Sequence, residues 1–149
     1  MTWYPHATVA AIIEQDNRFL MVKEKPSDGE IVYNQPAGHL DEGEGLIQAV
    51  IRETREETAW RFTPEGLVGV YRWQVPPNGA TYLRFCFHGR VDDHQPELDL
   101  DTEIIEAVWM SLDELEAMQD QLRSPMVLRC IRDFRAGQQA PLHILTDLS

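Results

Sequence analysis

The stretch Gly38 to Trp60, GHLDEGEGLIQAVIRETREETAW, places Glu53, Glu56 and Glu57 at i, i+3 and i+4. In a helix this spacing projects three carboxylates from one side, close enough to share a guest. Their mutual repulsion calls for something positive among them, and a hard divalent cation is the natural candidate. Taking Val50 as zero and about 100° per residue, Leu46, Ile47, Thr54 and Thr58 fall on its side, with Ile51 at the border. Glu57, Glu53 and Glu56 spread along one edge of that stripe. Arg52 and Arg55 fall on the opposite side and are poorly placed to neutralise all three.

The rest of the chain limits what such a helix can belong to. A length of 149 residues with 43% hydrophobic content predicts a single domain spanning residues 1–149, with one core and helices covering a sheet. The net charge of −12 opposes nonspecific attraction to nucleic-acid polymers or anionic membranes. A polyanionic small molecule would need metal ions between its phosphates and these carboxylates. Cys86 and Cys130 are the two cysteines, without CxxC spacing or a disulfide framework. With no basic stretch before an apolar N-terminal core and no apolar run of membrane length, a reducing cytoplasm is the expected location. Monomer and homodimer are both open.

Ala7 to Glu14 and Arg18 to Glu24 read as strands joined by a turn at Gln15-Asp16-Asn17, and Ile31 to Gln35 as a further short strand. Pro36-Ala37-Gly38 turns the chain into the helical segment Gly45 to Ala59. Leu67 to Val75 and Ala80 to Val91 read as long strands around Pro76-Pro77-Asn78-Gly79. Arg90 to Asp101 is an acidic loop expected to be mobile, and Ile105 to Met110 is strand-like. Ser111, with Glu114 three residues on, signals a capped short helix. Ser124-Pro125 opens a second helix, Pro125 to Arg135, ending near Gly137. Pro141 to Leu145 is expected to add a final strand.

Gly38, Glu44, Arg52, Glu53, Glu56 and Glu57 resemble the Nudix box, G-x5-E-x7-R-E-U-x-E-E-x-G-U with U aliphatic, at every charged position and at the correct spacing. Thr54 and Trp60 replace aliphatics, and Ala59 replaces the last glycine, which often closes the helix in a left-handed conformation. Alanine there costs about 1 kcal/mol or signals a different exit. Asn34-Gln35-Pro36-Ala37-Gly38-His39-Leu40 and Leu122-Arg123-Ser124-Pro125 further resemble the NudJ-type phosphatase branch of the family. The resemblance implies an α/β fold, the Nudix α/β/α sandwich with a mixed sheet flanked by helices. It also implies a hydrolase of phosphoanhydrides, with thiamine-precursor and thiamine diphosphates and nucleoside di- and triphosphates as candidate substrates.

Hydrolysing a diphosphate requires neutralised phosphate oxygens, a water held in line, and an acceptor for its proton. The resemblance implies Mg²⁺ (or Mn²⁺) held by Glu56 and Glu57, joined by Glu53 and the main-chain carbonyl of Ala37. Glu53 or a loop carboxylate would accept the proton, and Arg52 and Glu44 would orient their neighbours or form a purely structural ion pair. Asp99, Asp101, Glu103 and Glu106 are the loop candidates, with Glu103 preferred. Trp73, Tyr82, Arg84 and Phe85 are candidates to line a pocket, an aromatic stacking on a ring and Arg84 pairing with phosphate, or else to pack the core. Arg123 and Ser124 could reach substrate, although Ser124 is also a simple helix cap. A nucleotide-pool sanitiser, an ADP-ribose pyrophosphatase and a noncatalytic nucleotide-binding module are the competing functions.

Overall fold

A computed structural model describes residues 2–149. Its centre is β1 (His6–Gln15), in which every residue from Thr8 to Ile13 is buried. A strand covered on both faces reads as a continuous apolar run, unlike the alternating pattern of a half-solvated one. Val9, Ala11 and Ile13 point into one core with Leu20, Val50 and Phe87, while Ala10 and Ile12 point into the other with Met21, Val127 and Ile131. The two cores are the two faces of one mixed sheet.

Strand β1 turns at Asp16 and Asn17, both with positive φ, into β2 (Arg18–Glu24). Asp and Asn tolerate this left-handed conformation better than most residues. Next come β3 (Val32–Asn34), β4 (Ala37–His39) and the helix α1 (Leu46–Thr58). The long strands β5 (Arg61–Gln74) and β6 (Thr81–Asp92) form an antiparallel pair, and β6 lies parallel to β1. β7 (Ile104–Met110) pairs with β2, followed by α2 (Leu112–Glu116) and α3 (Met126–Arg135). The strand order is β3-β2-β1-β6-β5, with β4 on β1 and β7 on β2. Helix α1 covers one face, and α2 and α3 cover the other. This is the α/β/α sandwich with a mixed sheet that the resemblance implies.

Several expectations change. Pro36-Ala37-Gly38 enters the strand β4, whose Ala37 and Gly38 pair with Ala10 and Val9. Strand β5 begins at Arg61, six residues before the predicted start, because register shifts at Pro64/Gly66 and Leu67/Gly69 let it carry a proline and two glycines. The expected strand at Pro141 to Leu145 is instead a 3₁₀ turn over Leu142–Ile144, and only Ala140 bridges to Leu67. The loop after β6 is held against α1: Trp60 stacks on His94 with centroids 4.3 Å apart, and the Gln95 and Asp101 amides donate to the carbonyls of Ala59 and Glu56.

Candidate active site

Helix α1 meets β4 where the carboxylates lie. Gly45 precedes its first turn, and Gln48 Oε1 accepts from the Gly45 N–H at 3.1 Å. The far end closes at Ala59 in the left-handed conformation, φ 63° and ψ 16°, with its N–H donating to the Arg55 carbonyl at 2.9 Å. The helix therefore keeps the exit usually made by glycine, at a steric cost of about 1 kcal/mol for the Ala59 methyl.

Along α1, Ala49, Val50, Thr54 and Thr58 are buried, and so are Glu53 and Glu57. Glu57 accepts from the Ala37 N–H at 2.9 Å, its only protein donor among the described residues. Burial pushes its carboxyl well above the usual range, more than the Ala37 bond lowers it. Burial likewise raises Glu53 to about 7, against the opposing bond from Arg52. A buried carboxylate with so few donors takes up either a proton or a cation.

Arg52 forms the expected pair with Glu44 and reaches further than its place on the helix wheel predicts. Its Nε and Nη2 grip Glu44 at 2.7 and 2.9 Å, and Nη1 reaches Glu53 at 2.7 Å and Glu56 at 2.9 Å. Nη2 also donates to the His39 carbonyl at 3.1 Å. The long side chain swings from the far side of the helix to the carboxylate edge, which a helical wheel of Cβ directions does not capture. Glu57 stays out of its reach, so the arginines still leave one of the three without a cation.

The acidic loop supplies a further carboxylate. Oxygens of Glu53, Glu56 and Asp101 lie within 4.8 Å of one another, a grouping able to hold a metal ion. The preferred loop residue, Glu103, instead lines the adjoining cavity, where it joins Glu53, Glu57 and the buried Glu24. The cavity measures about 330 Å³, and Trp73, Tyr82 and Arg84 also line it, together with Ala37. Phe85 packs against the core on the α1 face. Trp73 and Tyr82 are cross-strand partners on β5 and β6, with ring centroids 6.3 Å apart. Glu44, Arg52 and Glu56 lie behind this wall and do not line the cavity.

Glu24 lines the cavity without a role expected from the sequence, as does Asn34, whose segment entered only through the NudJ-type resemblance. Glu24 ends β2 and pairs with Arg123 at 3.0 Å, bringing residues 99 positions apart to one wall. Ser124 also lines the cavity, and its hydroxyl accepts from the Met126 N–H at 3.2 Å, although the cap position of α3 falls on Pro125 rather than on Ser124 as expected. An acidic residue closing a short, continuously apolar strand carries no local signal for such a position.

The donor set, a partly buried all-oxygen cluster holding more carboxylates than Arg52 alone neutralises, fits a hard divalent cation. The profile of the NUDIX domain family matches residues 4–130. The chain belongs to the Nudix family and is a hydrolase acting on acid anhydrides in phosphorus-containing compounds. Among its relatives, the phosphatase NudJ of Escherichia coli (strain K12) is 34% identical over 145 residues, 97% of this chain and 93% of that protein. A NUDIX hydrolase from Nitrosomonas europaea superposes with a TM-score of 0.94 at 50% identity, over 97% of both chains. The MutT protein of Methanosarcina mazei Go1, 23% identical over 93% of this chain and 99% of its own, has a TM-score of 0.71 and shares the fold. No described helix is long and apolar enough to cross a membrane.

Proposed function

We propose that this protein is a Mg²⁺-dependent Nudix hydrolase, with Mn²⁺ as an alternative ion, that cleaves a phosphoanhydride in a compact organic or nucleoside di- or triphosphate. Thiamine diphosphate and its precursor diphosphates are included in that class, as the resemblance of Asn34 to Leu40 and Leu122 to Pro125 to the NudJ-type branch implies. The observation that carries the reading is a single wall on which Glu53 belongs both to the Glu53–Glu56–Asp101 cluster and to the cavity lining. Glu53, Glu56, Glu57 and the Ala37 carbonyl would hold the cations, with Asp101 added by its position beside Glu53 and Glu56. When bound, a divalent ion neutralises phosphate oxygens and acidifies a coordinated water.

The chain's own groups do the rest. Glu53 and Glu103 both face the cavity and are the two candidate acceptors for the water's proton. Arg52 fixes the Glu53 and Glu56 carboxylates, and Glu44 fixes Arg52 through its two-point contact. Trp73 and Tyr82 offer aromatic faces to a planar leaving group. The intact carboxylate set favours turnover over the noncatalytic binding module.

Phosphate release from thiamine diphosphate, nucleoside di- and triphosphates and ADP-ribose, with EDTA controls and added pyrophosphatase, tests the reading. Release from the compact substrates that EDTA abolishes is expected. Tight binding without turnover of any of them would overturn it.

A further inference from the structure

Arg84 is 4% exposed and lines the cavity, yet it has no carboxylate partner among the described residues. Its Nη1 donates to Gln35 Oε1 at 2.7 Å and its Nη2 to Asn34 Oδ1 at 3.1 Å, while Nε has no partner. Gln35 is itself 1% exposed and anchored by donating to the Val127 carbonyl at 2.7 Å. The guanidinium is thus clamped by two consecutive neutral amides, one of them braced by α3.

A buried cation held only by neutral acceptors is costly, and ordinarily a carboxylate offsets that cost. Here Asp and Glu are abundant, and Glu24, Glu53 and Glu57 line the same cavity, but the side chains that accept from Nη1 and Nη2 of Arg84 are amides, with the Cys86 and Cys130 thiols nearby and no carboxylate bonded to it among the described residues. An anion that arrives from outside meets a cation already oriented and not yet neutralised. Arg84 also lies two residues from Tyr82 on the same face of β6, beside the aromatic pair Tyr82 and Trp73.

We infer that Arg84, clamped by Asn34 and Gln35, is the metal-independent oxyanion subsite of the cavity. It takes a phosphate oxygen of the substrate next to the organic group, whereas the carboxylate wall engages the phosphoanhydride through cations. The inference deepens, and rests on, the reading of the cavity as a diphosphate site. The neutrality of Asn34 and Gln35 is part of the device, because a carboxylate at either position would satisfy Arg84 internally.

The test supplies that carboxylate. Asn34→Asp keeps the side-chain shape and places an acid against Nη2; Asn78→Asp, in the exposed β5–β6 turn, controls for net charge. Methylene diphosphonate with Mg²⁺, which cannot be hydrolysed, serves as the probe in calorimetry, with KM and kcat for thiamine diphosphate measured alongside. Asn34→Asp and Arg84→Gln are expected to weaken diphosphonate binding about 10-fold or more and to raise KM similarly, with a smaller change in kcat. Arg84→Lys should recover part of the affinity, and Asn34→Asp should melt no lower than Asn78→Asp. A folded Asn34→Asp with unchanged affinity and KM would overturn the subsite, leaving Arg84 a brace between β3 and β6. If wild type turned over no diphosphate while diphosphonate binding still fell in Asn34→Asp, the subsite would stand and the hydrolytic reading would fail.

Discussion

The Glu53 carboxylate occupies the space that a Cβ on Gly38 would need. Gly38 lies on β4 and Glu53 on α1, so the glycine sets how closely strand and helix approach and where the carboxylate points. Gly38→Ala is therefore expected to displace Glu53 directly. Overpacking of this kind costs roughly 1–3 kcal/mol. Cation-dependent turnover should fall by about 100-fold, since a displacement near 1 Å has that effect. Circular dichroism and steady-state rates check the pair of outcomes; a folded variant with wild-type rates would show that Glu53 has no need of its observed position.

Glu57→Gln separates stability from activity. The buried carboxyl is pushed well upward and has one donor, Ala37 N–H, which an amide oxygen also accepts. In chelator the variant should melt at or above the wild-type temperature, while most cation-dependent turnover is lost. Glu56→Gln should lose turnover likewise. Wild-type rates in either variant would count against both as ligands.

Protonation of Glu53 gives a pH signature. Its folded pKa, about 7, lies above the ordinary 4.5, so between these values the folded protein holds more protons than the unfolded chain. Without metal, this group's contribution therefore makes stability fall as pH rises from about 4.5 to 7, with a limit on the order of 2–3 kcal/mol. Glu53→Gln abolishes the effect. In EDTA, the melting temperature of the variant minus that of wild type should grow toward pH 8 and level off there. A difference independent of pH would contradict the burial argument.

Trp60 fastens the loop that carries Asp101 and Glu103. Its stack on His94 and the amide bonds from Gln95 and Asp101 tie that loop to the end of α1. Trp60→Leu restores the aliphatic type of the Nudix box but removes the stack. Limited proteolysis within residues 93–103 should accelerate, and affinity for the divalent ion should weaken while Glu56 and Glu57 remain. Unchanged cleavage would show that the amide bonds alone hold the loop.

The buried run of β1, the phase of α1 and the Ser111 cap were legible locally, because period, apolar content and capping chemistry act over a few residues. So was the carboxylate edge. Less legible were contacts that depend on the reach of long side chains or on sheet pairing. Arg52 crosses from its own side of the helix to Glu53 and Glu56, and β4 exists because β1 offers it an edge. Glu24 and Arg123 meet only after β2 and the segment before α3 have been brought together. The 3₁₀ turn at Leu142–Ile144 shows the same limit, since a short apolar run after a proline has no fixed period.

On the proposed function, the edge formed by Glu53, Glu56 and Glu57 holds the cations on which hydrolysis depends. Mn²⁺ binding followed by electron paramagnetic resonance, with thiamine diphosphate turnover measured in the same samples, tests it most directly. Turnover is expected to rise with bound Mn²⁺ in wild type, and Glu53→Gln, Glu56→Gln and Glu57→Gln are expected to lose both together while remaining folded. Turnover that persists in EDTA, or Mn²⁺ binding that survives all three substitutions, would contradict it.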